Sequence, residues 1–193
     1  MEKILELGTL KVRGCKIKIP ENPAYKGDIF GCNSTDIKIV NTRSGKEIRW
    51  LPLDRERFGL PGDRDIYISD RNILSGISWD TLKEAGYVGG VERIIDGKRC
   101  IIRMMTGSTG ASGTYGAECN NEWDMMMDQY GEVDDITHWS DMFSWCQEVH
   151  YGNSGYRSVR GYNSARNCGS SAAGNANANV GWRPVLEVLK TDD

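Results

Sequence analysis

The sequence predicts an α+β fold of short antiparallel strands, two helices and long irregular loops. Several short runs alternate apolar and polar residues, which is typical of half-buried strands. Two segments carry helix start and stop signals, and the segment Tyr151–Asn179 is made mainly of small polar residues. No internal repeat of about 20–50 residues is present, which excludes a solenoid or propeller.

The first predicted strands lie near the N-terminus. One or two strands ending at Pro20 are indicated by near-alternating apolar residues, which are Leu5, Leu7, Leu10, Val12, Cys15, Ile17 and Ile19. Further strands are predicted at Asp36–Val40 and Asp65–Ser69. The intervening residues 41–65 carry Pro52, Pro61 and several glycines, which predicts a turn-rich connector.

The middle of the chain predicts two helices and a hairpin. Ser78–Gly86 begins with an N-cap residue and ends with a glycine that can adopt a left-handed conformation. Asn121–Gly131 has the same signals, with Asn120 or Asn121 as cap and Trp123, Met126, Met127 and Tyr130 on one face. Val91–Ile95 and Lys98–Met105 flank Asp96-Gly97, the dipeptide that a type I′ hairpin turn prefers.

The last third mixes apolar and polar segments. Trp139, Met142, Phe143 and Trp145 predict a short turn or helix packed on the core. Tyr156–Gly161 is a predicted strand, and Val180–Leu189 is predicted as the last strand. Pro184 lacks a backbone donor, so we expect an edge position or a bulge there.

Charge is segregated along the second half. From Arg103 to Arg157 there is no other basic residue but nine acids, and Val149–Leu186 contains arginines and no acid. Arginine forks hold carboxylates bidentately, so the acidic middle and the arginine segment are expected to pack together. A solvated acidic face with unrelated arginines is the alternative, since surface ion pairs are weak.

Composition bounds the class of protein. A chain of 193 residues is most simply one domain with a sizeable core. A net charge of −3 argues against a general nucleic-acid or membrane-surface partner. No apolar run is long enough for a transmembrane helix, and the N-terminus lacks the apolar core of a signal peptide. The six scattered cysteines favour buried or free thiols over a disulfide framework.

Sequence patterns of enzymes are missing. There is no phosphate loop, dinucleotide fingerprint, nucleophile elbow or calcium-loop spacing. His138 and His150 have no metal-ligand spacing. We therefore predict no catalytic residue, no metal and no cofactor.

The segment Tyr151–Asn179 indicates a binding surface. Of its 29 residues, 24 are Asn, Ser, Gly, Ala or Tyr, the residue types that are enriched in antibody loops. Apolar residues flank it on both sides, with Trp139, Phe143 and Trp145 before it and Val180–Leu189 after it. We expect irregular loops held on a rigid scaffold.

Ordered motifs across the last two thirds of the chain resemble the variable proteins of diversity-generating retroelements, which occur in phages, archaeal viruses and microbes. The motifs are Ser69-Asp70-Arg71, Ile77–Asp80, Ile95–Lys98, Asn121–Asp124, His138-Trp139, Ser144–Glu148, Arg160–Arg166 and Gly181–Glu187. Gly181-Trp182-Arg183-Pro184 is similar to the Gly-Phe-Arg motif that ends the C-type lectin-like domain of this family. The sugar-binding calcium motifs of C-type lectins are missing, so calcium-dependent sugar binding does not carry over.

The resemblance implies a non-enzymatic receptor-binding protein whose C-terminal surface is diversified by adenine-directed mutagenic retrohoming. The implied variable, ligand-binding residues are Tyr151, Asn153, Ser154, Tyr156, Ser158, Tyr162, Asn163, Ser164, Asn167, Cys168, Gly169, Ser170, Ser171 and Ala172. The implied scaffold residues are Arg157, Arg160, Gly161, Arg166, Gly181, Trp182 and Arg183. The segment is rich in Ala and Gly, and residues 175–179 look like little-diversified template sequence.

The resemblance also implies the organisation of the chain and its partners. One C-type lectin-like domain is expected over residues 1–193, with an N-terminal β portion (1–60), a scaffold with two helices (61–148), a variable binding region (149–182) and a terminal strand and tail (183–193). The ligand would be a protein or glycan on a host or neighbouring cell, with display on a virion or cell surface. Homo-oligomer formation is left open.

Two alternatives remain. The first is an enzyme of the formylglycine-generating class, which shares the terminal motif and binds copper through a reactive cysteine pair, here Cys146 and Cys168. The second is a structural particle protein whose polar tail is a spacer.

Overall fold

A computed structural model describes residues 3–13, 15–16, 34–109 and 121–190 of the chain. Within these residues the fold is mixed α+β, with fourteen strands in mostly antiparallel sheets and four short helices. The predicted α+β class is therefore confirmed. None of the described helices has the length and apolar character needed to cross a membrane.

The large sheet has six strands, all in antiparallel pairs. In spatial order they are β1 (Leu5–Glu6), β5 (Arg49–Pro52), β6 (Arg64–Ser69), β14 (Pro184–Leu189), β9 (Lys98–Met104) and β8 (Val91–Ile95). The predicted hairpin is confirmed, because β8 pairs with β9 across Asp96-Gly97. Both turn residues have positive φ, +48° and +79°, as a type I′ turn requires.

Two smaller sheets complete the β structure. The second sheet has the order β12 (Cys168–Ala172), β11 (Tyr156–Gly161), β10 (Phe143–Val149), β13 (Val180–Trp182) and β7 (Leu74–Ser75). The third sheet has the order β3 (Cys15–Lys16), β2 (Thr9–Val12) and β4 (Ile37–Val40). The strands predicted at Asp36–Val40, Asp65–Ser69 and Tyr156–Gly161 are thus confirmed to within one residue. Residues 17–20 of the first predicted strand lie outside the described residues.

The two predicted helices are confirmed as α2 (Trp79–Glu84) and α3 (Glu122–Tyr130). Ser78 Oγ accepts a hydrogen bond from the Thr81 amide at 3.1 Å, and Asn121 Oδ1 accepts from the Asp124 amide at 3.0 Å. These are the N-cap contacts that satisfy orphan amides at a helix start.

Two further helices are single turns that the sequence reading missed, α1 (Arg55–Phe58) and α4 (Asp134–Thr137). The first lies inside the predicted connector, together with β5, so that prediction is wrong for these residues. Asp54 Oδ1 caps α1 by accepting from the Arg57 amide at 2.9 Å, and Gly59 ends it with φ +63°. Strand β5 is held in the fold by the burial of Trp50 and Leu51.

The C-terminal predictions need correction. Phe143 and Trp145 lie in strand β10, where a turn or helix was predicted. The predicted strand Val180–Leu189 is two strands, because the chain leaves the second sheet after Trp182 and enters the large sheet at Pro184. Pro184 is at neither an edge nor a bulge. It opens β14, between β6 and β9, and the first residue of a strand is a position that proline tolerates.

The core forms two clusters of buried side chains. One contains Trp50, Tyr87, Trp145 and Trp182, and the other contains Trp123 with the methionines of α3. Buried indole N–H groups usually need an acceptor. Trp50, Trp123 and Trp145 donate to the backbone oxygens of Leu7, Ala165 and Ile77 at 2.7–2.8 Å. These bonds tie the tryptophans to distant parts of the chain.

Candidate ligand-binding surface

Strands β10, β11 and β12 carry the small polar segment. Tyr156 lies opposite Ala172, and Arg160 lies opposite Cys168 in the adjacent antiparallel strand. The loop of residues 150–155 therefore joins β10 to β11 at one end of this ladder, and residues 162–167 join β11 to β12 at the other. The segment therefore consists of two paired strands with a loop at each end of the ladder.

Arg160 fixes the segment to helix α3. Its Nη2 donates to Asp124 Oδ1 at 2.5 Å, and its Nη1 donates to the Gly107 carbonyl at 2.9 Å. Both charged side chains are buried, with 4% and 3% of their areas exposed. The Asp124 carboxylate compensates the buried guanidinium, which would otherwise be very unfavourable.

Arg166 makes a second set of ion pairs with the same helix and the loop after it. Its guanidinium contacts Asp124 at 3.3 Å, Asp128 at 2.5 Å and Glu132 at 2.9 Å. Burial alone would lower the Arg166 pKa, but the hydrogen bonds to Asp128 and Glu132 outweigh it and raise the pKa. The expectation that the acidic middle packs against the arginine segment is confirmed for Arg160 and Arg166.

Arg157 is held by an aromatic ring and two backbone carbonyls. Its Cζ lies 4.2 Å from the centre of the Trp79 ring, a cation–π distance. Its Nη1 donates to the carbonyls of Ser154 and Tyr156 at 2.7 and 3.0 Å. Arg157 therefore braces the loop of residues 150–155 against the start of helix α2.

Arg183 lies where the chain crosses between sheets. It is fully buried and donates to the carbonyls of Asp70, Thr137 and His138 at 2.6–3.0 Å. Its Cζ lies 5.3 Å from the Trp123 ring. Burial lowers the Arg183 pKa to about 10, so the group stays protonated at neutral pH. Trp182, also fully buried, packs on Tyr87 with ring centres 4.5 Å apart.

Gly161 and Gly181 are required by close approach of the chain. Gly161 has φ +91°, and a Cβ there would lie 2.9 Å from the Trp139 carbonyl oxygen. A Cβ at Gly181 would lie 2.8 Å from the Leu74 carbonyl oxygen. Real Cβ atoms essentially never approach so closely. The five arginine and tryptophan anchors and these two glycines therefore have structural roles that side-chain variation would disrupt.

The residues implied to vary have mixed exposure. The exposed ones are Tyr151, Asn153, Ser154, Tyr156, Asn163 and Ser170. The partly exposed ones are Tyr162, Ser164, Asn167, Cys168, Gly169 and Ala172. Tyr162 stacks on Phe143 with ring centres 4.7 Å apart, so part of its ring is used inside the protein.

Two of the implied ligand-binding residues are buried, which corrects the expectation that they face a ligand. Ser158 is completely buried and Ser171 is 9% exposed. Ser158 lies in β11, an interior strand of the second sheet with β10 and β12 on its two sides, and Ser171 lies opposite the half-buried Arg157. Neither serine contributes appreciable area to the surface.

The exposed residues concentrate at one end of the β11–β12 ladder. Tyr151, Asn153, Ser154 and Tyr156 lie there, and we call this group the tyrosine end. Tyr151 is 67% exposed and Tyr156 is 39% exposed. The adjacent residue Asn175 is also exposed, next to the turn that its amide closes on the Ala172 carbonyl at 2.9 Å.

The tyrosine end is fixed by backbone hydrogen bonds. The Ala173 amide donates to the Gly155 carbonyl at 3.0 Å, and the Tyr151 amide donates to the Thr109 carbonyl at 2.8 Å. Gly155 N–H also donates to Asn153 Oδ1 at 3.0 Å. Two tyrosine rings are thus presented from a turn whose backbone is already ordered, which lowers the entropic penalty of binding.

The sequence reading missed three contributors to this surface. Asn175 is not among the predicted ligand-binding residues because residues 175–179 look template-like. The Asn-rich sequence around it could have indicated an exposed polar position. Trp79 and the Gly107 carbonyl support the arginines from distant parts of the chain, and no local pattern reveals such contacts.

Over the described ranges, no group of three or more His, Cys, Asp or Glu side chains could hold a metal ion. Cys146 and Cys168 are free thiols. Burial raises the pKa of both, and strongly that of Cys146, whereas an activated cysteine has a lowered pKa.

Comparisons of the chain with protein-family models, with curated proteins and with solved structures gave no significant match.

Proposed function

We propose that this chain is a non-enzymatic ligand-binding protein with a C-type lectin-like fold, of the kind diversified by retroelements. The observation that carries the proposal is the contrast between anchored and exposed side chains in the C-terminal part of the chain. Arg160, Arg166, Trp182 and Arg183 are paired or buried, whereas Tyr151 and Tyr156 are exposed beside small polar residues. A surface that changes by mutation needs this separation of fixed and free side chains.

The chemistry of the tyrosine end favours a protein or glycan ligand. Its four side chains are uncharged, and tyrosine supplies contact area at low conformational entropy. Aromatic anchors dominate the binding energy of many interfaces. The Asn and Ser side chains add hydrogen-bond donors and acceptors that suit either a peptide surface or sugar hydroxyls.

The proposed C-type lectin-like fold rests on sequence and topology together. The Gly181-Trp182-Arg183-Pro184 motif lies at the crossing from the second sheet to the large sheet. Trp182 and Arg183 are both fully buried there, so the motif holds the two sheets together. We propose display of the protein on a virion or cell surface, where several copies would raise the avidity of weak single sites.

Two displayed libraries test whether this surface is a variable binding face. The first randomises Tyr151, Asn153, Ser154, Tyr156, Ser170 and Asn175. The control library randomises six exposed residues elsewhere, Glu56, Lys83, Glu84, Glu92, Lys98 and Arg99. Both are sorted for protease resistance and then for binding to one immobilised folded protein.

The proposal predicts that the first library keeps a folded fraction similar to that of the control and yields more binders. Tyrosine should be enriched at positions 151 and 156 among the binders. A first library that is largely unfolded, or that yields no more binders than the control, would contradict the proposal.

A further inference from the structure

A cleft lined by basic residues lies between the edges of two sheets. Its lining residues are distant in sequence from the tyrosine end. It has a volume of about 440 Å³ and lies between β4, at the edge of the third sheet, and β8, at the edge of the large sheet. Its lining includes Lys11, Lys38, Arg43 and Arg93 together with Val40 and Ile94. None of these residues belongs to the candidate ligand-binding surface.

The cleft has a cationic lining. No carboxylate is among the described residues that line it. Of the nearby acids, Asp36 pairs with Lys38 at 2.7 Å, Glu92 pairs with Arg99 at 2.7 Å, and Asp96 accepts from the Thr42 amide at 3.1 Å. Asp36 offsets the charge of Lys38, and Lys11, Arg43 and Arg93 give the cleft a positive potential that attracts anionic groups.

The two edges are tied together at one end. The Asp96 amide donates to Asn41 Oδ1 at 3.0 Å, and the Thr42 amide donates to Asp96 Oδ1 at 3.1 Å. These bonds join the turn after β8 to the residues after β4. The spacing of the edges is therefore fixed before any ligand enters.

The cleft also offers apolar and main-chain contacts. Ile94 is 69% exposed, the most exposed of the large hydrophobic side chains that the structure describes. Since β4 and β8 are edge strands in the described topology, alternate main-chain groups of each point away from their sheet. The Ile37 carbonyl of β4 already accepts from Tyr87 Oη at 2.7 Å, and the Glu92 carbonyl of β8 accepts from Arg93 at 3.0 Å, so a ligand strand is limited to the remaining groups. An extended peptide can bond to such groups while its side chains alternate between two faces.

We propose that this cleft binds an extended acidic peptide segment that adds to a sheet edge. Alternating acidic side chains would meet Lys11, Lys38, Arg43 and Arg93, and the intervening aliphatic side chains would cover Ile94 and Val40. The cleft volume falls in the range of about 300–1,000 Å³ that is usual for ligand sites. A simple inorganic anion would use the charges but neither the apolar contacts nor the strand edges.

Fluorescence anisotropy of a labelled peptide tests the proposal on the full-length protein. The probe is a peptide of about eight residues alternating Glu and Val, long enough to span a typical strand. A Lys and Val peptide controls for charge, and a Glu and Val peptide N-methylated at alternate residues controls for main-chain bonding. Lys38→Glu is compared with Lys98→Glu, a matched reversal at an exposed lysine that does not line the cleft.

The Glu and Val peptide should bind saturably, and Lys38→Glu should weaken binding about tenfold because an attraction becomes a repulsion. Lys98→Glu should change the affinity less than about twofold, and neither control peptide should bind comparably. Absence of binding overturns the proposal. Two further results would identify an unspecific anion site and overturn the proposal. One is that the N-methylated peptide binds as tightly as the unmodified peptide. The other is that polyphosphate fully displaces the N-methylated peptide.

Discussion

Arg160 and Asp124 form a buried ion pair, 2.5 Å between Nη2 and Oδ1, that joins strand β11 to helix α3. The pair connects the acid-free segment to the acidic middle of the chain. It fixes the end of β11 that is opposite the tyrosine end to helix α3 by a charge-assisted bond.

Removal of the Asp124 charge should destabilise the fold strongly. Asp124→Asn leaves the buried Arg160 guanidinium without its carboxylate, and we expect a loss of about 3 kcal/mol in the free energy of unfolding. Urea denaturation measures this loss. Asp128→Asn is the matched control, because Asp128 pairs with Arg166 but is 39% exposed, and it should lose less than about 1 kcal/mol. Equal losses would show that burial of the Arg160 pair is unimportant.

Glu187 should make stability depend on acid pH. Burial would raise its pKa, but hydrogen bonds from Arg103 and Arg64, both at 2.6 Å, outweigh burial and lower the pKa. The stabilisation is then fully present above the unfolded value of about 4.3 and is lost as the pH falls through the lowered folded value.

The measurement is the free energy of unfolding of the wild type and of Glu187→Gln between neutral and acid pH. The difference between them should be about 2 kcal/mol at neutral pH and should shrink below about pH 4. Glu92→Gln serves as control, because Glu92 pairs with Arg99 at an exposed site. A difference that stays constant down to the acid limit would refute the assigned role of Glu187.

Alanine substitution of two buried serines on neighbouring strands should change the stability of the protein differently. Ser158 Oγ has no hydrogen-bond partner in the described part of the chain, so Ser158→Ala should be neutral or stabilising by up to about 1 kcal/mol. Ser144 Oγ accepts from Arg183 Nε at 3.3 Å, so Ser144→Ala should destabilise by about 1 kcal/mol. Thermal and urea unfolding of both variants check this, and a clear loss for Ser158→Ala would reveal a hidden polar role.

Thiol labelling discriminates between the binding protein and the cysteine-dependent enzyme. The raised pKa values of Cys146 and Cys168 reduce the thiolate fraction at pH 8. Both should therefore react slowly with an alkylating reagent in the folded protein and quickly after unfolding. Peptide mapping by mass spectrometry reports each site, with Cys100 as a buried reference whose pKa is raised to about 11. Fast labelling of Cys146 and Cys168 in the folded state would favour the formylglycine-generating alternative.

Local chemistry made part of the fold predictable. The Asp96-Gly97 hairpin and the capped helices α2 and α3 depend on residues close in sequence, and the structure confirms them. The interruption at Arg183, which separates strand β13 from strand β14, was not predictable in this way. It depends on carbonyls contributed by residues 70, 137 and 138, which no local pattern brings together. Strand β10 was missed for the same reason, since its partners β11 and β13 are distant in sequence.

The candidate surface was predictable in composition but not in exposure. Small polar residues marked the segment, and charge segregation indicated its partners on α3. Burial of Ser158 and Ser171 depends on how β11 and β12 pack in the second sheet, which involves strands distant in sequence. The sequence therefore predicted the packing of the segment against α3 more accurately than the exposure of its side chains.

The DNA that flanks the gene gives the most direct test of a diversified binding surface on a fixed scaffold. The proposal predicts a near-copy of the C-terminal coding region beside a reverse transcriptase gene. The two copies should differ only at template adenines, within codons for exposed residues such as Tyr151, Asn153 and Tyr156. Codons for Arg160, Gly161, Trp182 and Arg183 should be identical. Absence of the repeat, or differences concentrated in the codons of the buried anchors, would contradict the central claim.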